Sequence, residues 1–118
     1  MAVRLDELRR FALALPATSE EPHQHFGSWR VRGRIFVTLP PGGEWLHIFL
    51  PEAERELALA MDPEFLQPLR WGAKVLGVRA ALPLARKATL LQLVQQAYDF
   101  KAALPGTARR RQRPAPAA

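Results

Sequence analysis

Cysteine is missing from this 118-residue chain, which excludes disulfide staples, thiol nucleophiles and zinc sites built on thiolates. Long apolar runs are missing as well. No stretch approaches the ~18 residues that a membrane-spanning helix requires. The opening residues Met1 to Glu7 meet charge at Arg4, Asp6 and Glu7 instead of a leader's apolar segment. The expectation is a cytoplasmic protein with no membrane partner. Catalytic signatures are equally scarce: no Ser/His/Asp set, no phosphate-cradling glycine loop and no carboxylate pair in an apolar setting can be picked out. The seven glycines are scattered. No enzyme, no catalytic residue and no cofactor are therefore expected.

What is present belongs to a globular chain. Hydrophobic residues make up 48% and charged residues 24%, far from the apolar-poor composition of disorder. The length is that of a single domain with a self-sufficient core. The net charge is +6, but Arg109, Arg110, Arg111 and Arg113 supply four of those charges, so the rest of the chain carries +2. The division expected is one domain over residues 1–104 and a disordered, basic Ala/Pro/Arg tail over 105–118. Counterion release would give such a tail sequence-independent affinity for nucleic acid. A solubilising end has the same composition.

Leu5, Leu8, Phe11, Ala12 and Leu15 recur at helical spacing, with Asp6 and Glu7 in the first turn, and Pro16 ends the helix. Ala17 to His25 is polar and turn-prone and reads as a loop. From Phe26 to Leu39 the pattern alternates and breaks at Arg32-Gly33, which marks a hairpin. A three-residue Val31-Arg32-Gly33 loop with a bulge places Gly33 in the left-handed region and sets Arg30 opposite Arg34. A two-residue Arg32-Gly33 loop would mix the two faces. Trp45 to Leu50 is a third strand. Pro51 opens a helix to about Met61 with Glu52, Glu54 and Glu56 in its early turns. Asp62 to Phe65 suits a short further helical turn closed by Pro68. A strand or strand pair follows across Leu69 to Leu82. The last helix spans about Arg86 to Ala103, with Leu90, Leu91, Val94, Ala97 and Tyr98 inward.

Four local patterns then coincide. They are Val31-Arg32-Gly33-Arg34-Ile35-Phe36, the strand Trp45 to Leu50 followed by Pro51-Glu52, the segment Trp71-Gly72 to Val78-Arg79, and Leu90 to Tyr98 in the last helix. Together they resemble the MmcQ/YjbR family over roughly residues 4 to 103. The resemblance implies a two-layer α+β domain with an antiparallel sheet, in the order helix, three strands, helix, about two strands, helix. It also implies DNA binding, a label that follows the shape of the fold, and a likeness to secretion chaperones, which bind other proteins. Gly72-Ala73-Lys74-Val75 departs from the tryptophan-rich strand usual in relatives.

The chemistry-bearing candidates are mostly cations. Arg30, Arg32 and Arg34 sit at or beside the hairpin tip, where opposed arginines would favour an acidic partner. A solvated tip that guards against edge pairing explains them equally. Arg86 and Lys87 fall in the first turn of the last helix, against the dipole. They mark either a phosphate site or a helix that starts nearer Thr89. Arg79 joins this set, giving Arg30, Arg32, Arg34, Arg79, Arg86 and Lys87 as phosphate-contacting residues of a DNA-binding module. The alternative is a protein- or small-ligand-binding adaptor using the sheet face around Phe36 and Trp45. His23-Gln24-His25, with Glu20, Glu21 and His47, holds metal-ligand types but no fixed third ligand. Trp29, Trp45, Trp71, Phe36 and Phe49 are core residues or stacking platforms. A monomer or weak dimer is expected.

Overall fold

The computed structural model describes residues 4–23 and 25–104. The proposed tail, 105–118, lies outside the described residues. Within them the chain runs α1 (Leu5–Ala14), β1 (Thr18–His23), β2 (Phe26–Val31), β3 (Arg34–Leu39), β4 (Trp45–Phe49), α2 (Glu52–Met61), β5 (Leu66–Trp71), β6 (Lys74–Ala81), a 3-10 turn at Leu82–Leu84, and α3 (Lys87–Ala103). This is an α+β fold. Six antiparallel strands form one sheet in the order β1-β2-β3-β4-β6-β5.

The helices bury one face of the sheet. Leu8 and Ala12 of α1, Ala58 of α2, and Leu90, Leu93, Val94 and Ala97 of α3 join one core with Trp29, Val31, Val37, Leu46, Ile48, Val78 and Ala80. Each of the strand members is at most 1% exposed. Burying a side chain of this size contributes about 1.5–3 kcal/mol, so this face dominates the stability. Phe36 stacks edge-on against Tyr98 of α3 with ring centres 5.7 Å apart. It therefore belongs to the helix side of the sheet and not to an exposed face around Trp45, as expected from the pattern alone.

Three sequence expectations are corrected. The Ala17–His25 loop contains strand β1, whose burial is slight and whose residues are polar because it is an edge. Pro22 is tolerated there since an edge strand leaves one row of N–H groups unpaired. Pro68 likewise closes no helical turn. It sits inside the opposite edge strand, β5, and the preceding residues form a turn in which the Asp62 carbonyl accepts from Phe65 and Leu66.

The hairpin register is the third correction. Val31 pairs with Arg34 and Arg30 with Ile35, so Arg30 and Arg34 do not face each other. The loop is the two-residue Arg32-Gly33, with φ of 52° and 83°, as a primed turn requires at both central positions. Trp29 then pairs with Val37, leaving Phe36 as an extra residue on β3. That bulge resolves the mixing of faces, because it lets Phe36 and Val37 both turn inward. A second bulge leaves Leu76 extra on β6, between the Leu69–Gly77 and Arg70–Val75 pairs.

Candidate ligand cleft on the open sheet face

The pairings align one residue from every strand into a single rung, Glu21, Ser28, Thr38, His47, Arg79 and Gln67. All six are polar, and the central residues of the neighbouring rung, Trp29, Val37, Ile48 and Val78, belong to the core shared with the helices. The sheet's second face is thus polar at its centre, and among the described residues no helix contributes to its cleft. Ser28 and Thr38 are nevertheless buried. The Ser28 hydroxyl donates to the Glu21 carbonyl at 2.6 Å and accepts from Arg30 Nε at 3.3 Å.

Beside this rung lies a cleft of about 350 Å³ whose walls come from all six strands. Ile35, Phe49, Leu69 and Leu76 make it apolar, Thr38 and His47 add polar groups from the rung, His23 and Phe26 close the β1–β2 side, and Arg70 and Trp71 close the β5–β6 side. The bulges account for part of the shape. Each adds twist to the sheet, and the second sets Leu76 on the cleft wall. The volume falls in the range of small-molecule sites. Trp71 is 77% exposed, unusual for an indole.

His47 has the most perturbed environment in the cleft. Burial, and then the nearby positive charge of Arg79, hold its pKa below the ordinary 6.5. The imidazole is therefore neutral near pH 7, with one nitrogen donating and the other accepting. Its ring lies 6.1 Å from that of Phe26 at a tilt of 59°. Arg79 itself stands over the Trp45 ring at 3.9 Å and donates to Gln67 at 3.4 Å, while its Nε is buried without a hydrogen-bond partner among the described residues.

The six cations singled out from the sequence are not gathered into one patch. Arg86 pairs with the buried carboxylate of Asp62, and Glu64 lies 3.8 Å away. Lys87 bonds Glu7 of α1 at 2.8 Å. These three carboxylates explain how cations are accommodated at the N-terminus of α3, whose first residue is Lys87 and whose cap is Arg86, with no start at Thr89. Arg32 donates to the Ala102 carbonyl at 3.1 Å, satisfying one of the carbonyls left open at the end of α3. Arg34 lies near Lys101, whose ammonium is pushed below its usual pKa by burial and then by that guanidinium. Arg86 and Lys87 thus lie at the start of α3 and Arg32 and Arg34 near its end, about 24 Å away at 1.5 Å per residue. Arg30 and Arg79 share the open face, and Arg30 Nε is 3.9 Å from Glu21.

Sequence reading missed Arg70 and the grouping of His47 with Trp71, Leu76 and Phe26. Residues from separate hairpins carry no common spacing, so no local signal connects them. Among the described residues no group of three or more His, Cys, Asp or Glu side chains comes together as a metal site. His23 and His47 share the cleft, while His25 lines a separate shallow depression with Glu20 and Glu21. No protein-family model matches this chain, and no curated protein matches it.

Proposed function

We propose that this protein is a non-enzymatic binding module whose ligand occupies the cleft on the open sheet face. The observation that carries the reading is an apolar cleft on a sheet face with an exposed indole, Trp71, at its edge. Apolar area of this kind is costly in water and gains free energy when a ligand covers it. The test is a heteronuclear NMR screen of small organic compounds. Ligands should shift the His47, Leu76 and Trp71 signals together, and Trp71→Ala should weaken them at least about tenfold without unfolding the protein. Shifts that avoid these residues would sink the reading.

DNA binding, which the MmcQ/YjbR resemblance implies, is the second reading. It is favoured by Arg30 and Arg79 on the same face as Trp45 and Trp71, an arrangement of cations and rings suited to a nucleic-acid strand. Against it stand the pairing of Arg86 and Lys87 with carboxylates and the +2 charge outside the tail. A band shift that weakens with salt and with Arg30→Ala/Arg34→Ala supports it. No shift at physiological salt removes it.

A further inference from the structure

Two polar side chains of the cleft stand together without a hydrogen-bond partner. Thr38 and His47 are paired across β3 and β4, and their neighbours Val37 and Ile48 lie in the helix-side core, so both turn to the open face, where both line the cleft. The ring contact between His47 and Phe26 places the imidazole on that face independently of the register. Thr38 is only 4% exposed, and neither its hydroxyl nor the imidazole makes a hydrogen bond among the described residues. Other members of their rung are engaged: Ser28 with Glu21 and Arg30, and Arg79 with Gln67. A buried hydroxyl left unpaired is costly, and one that faces a cleft can be satisfied by what enters it. The next rung, Phe49, Gly77 and Leu69, is apolar. Gly77 contributes no side chain, so that rung is open at its middle. On β5, Gln67, Leu69 and Trp71 alternate onto this face, while Arg70 turns to the helix side.

We propose that the cleft binds an uncharged aromatic molecule with a phenol-type hydroxyl, its ring against Phe49 and Leu69 and its hydroxyl between His47 and Thr38. The proposal rests on the cleft being the ligand site and adds the chemistry of what fills it. A neutral imidazole has one nitrogen that accepts, and a threonine hydroxyl can donate. A phenol answers both, donating to the imidazole and accepting from the threonine. Burial and the charge of Arg79 keep His47 in the neutral state that this exchange needs near pH 7. Charged ligands fit less well. An amine would meet no carboxylate among the described lining residues. A carboxylate would leave water for an apolar hollow beside a rung whose cation, Arg79, is already engaged with Trp45 and Gln67.

Three probes of similar shape separate the terms: para-ethylphenol, its methyl ether para-ethylanisole, and para-ethylbenzoate, each titrated into the full chain and followed by NMR at Leu69, Leu76 and the His47 ring nitrogens. The phenol should bind about fivefold or more tighter than the ether, which cannot donate, and tighter than the benzoate. Only the phenol should move the nitrogen signals of His47 strongly. Thr38→Val, which keeps the shape of the side chain, and His47→Phe should each shrink the preference for phenol over ether to within about twofold, and His47→Gln should restore part of it. Equal binding of phenol and ether, or a preference that survives both Thr38→Val and His47→Phe, would overturn the hydrogen-bonding assignment and leave the cleft as a ligand site. Tighter binding of the benzoate would overturn the uncharged class. Failure of all three probes to shift the cleft signals at millimolar concentration would overturn both readings.

Discussion

Replacing Gly77 by alanine tests how closely β6 approaches β4. A Cβ at Gly77 would collide with the Ile48 carbonyl oxygen and meet the Leu50 nitrogen and the Phe49 Cα, each at 2.9 Å. All three are backbone atoms, so no change of rotamer relieves the overlap. The pairing that runs from Trp45–Ala81 to Phe49–Gly77 must open at that end, together with the bond from Leu50 N–H to the Leu76 carbonyl at 3.1 Å. Overpacking costs roughly 1–3 kcal/mol, and loss of the hydrogen bond adds about 1 kcal/mol. A total of about 2–4 kcal/mol is a large part of the ~5–15 kcal/mol that holds a domain folded. Gly27 is the control. The nearest atom to a Cβ there is that of Leu39 at 3.9 Å, an ordinary contact. Gly27→Ala should leave stability unchanged or raise it by up to about 1 kcal/mol, because glycine loses more freedom on folding. In urea, at about 1–3 kcal/mol per molar, Gly77→Ala should lower the midpoint by about 1–2 M while Gly27→Ala leaves it level or higher. Midpoints that move together, or a Gly77→Ala loss under about 0.5 kcal/mol, would refute the packing argument.

Other perturbations test separate parts of the structure. Arg86→Ala should cost about 1–3 kcal/mol by stranding the Asp62 carboxylate, whose side chain is 6% exposed against 60% for Arg86. Asp62→Asn should cost less in the same urea titration, since it leaves an exposed cation and no buried charge. His47 is held neutral in the fold, so the unfolded chain binds more protons as the pH falls below 6.5. Stability should therefore be fully present above that pH and decline below it, and His47→Gln should flatten the decline in thermal melts taken across the range. Gly33 has φ of 83° and open space around the position of a Cβ, so Gly33→Ala should cost about 1–2 kcal/mol from backbone strain alone. Gly33→Asn should recover part of that loss in the same melts.

The order of helices and most strands was readable in the sequence because each depends on neighbours in the chain. The period of Leu5, Leu8 and Ala12, the proline at 51 ahead of three glutamates, and the inward set Leu90, Val94 and Ala97 all express local geometry. So does the partition of charge that leaves +2 outside the last ten residues. What the sequence left open depends on pairing between distant segments. Thr18–His23 is polar enough to be a loop and becomes a strand because β2 offers it a partner. Phe36 and Val37 are consecutive and both buried, which a strict alternation forbids and a bulge permits. Arg86 and Lys87 look like an unanswered charge at a helix start until α1 and the end of α2 bring Glu7 and Asp62 to them. The cleft belongs wholly to this second group: its residues are joined by the register of six strands, and register is decided by which face must be buried against the helices. Local spacing therefore determined the elements of this protein, while burial and strand pairing decided which side chains meet.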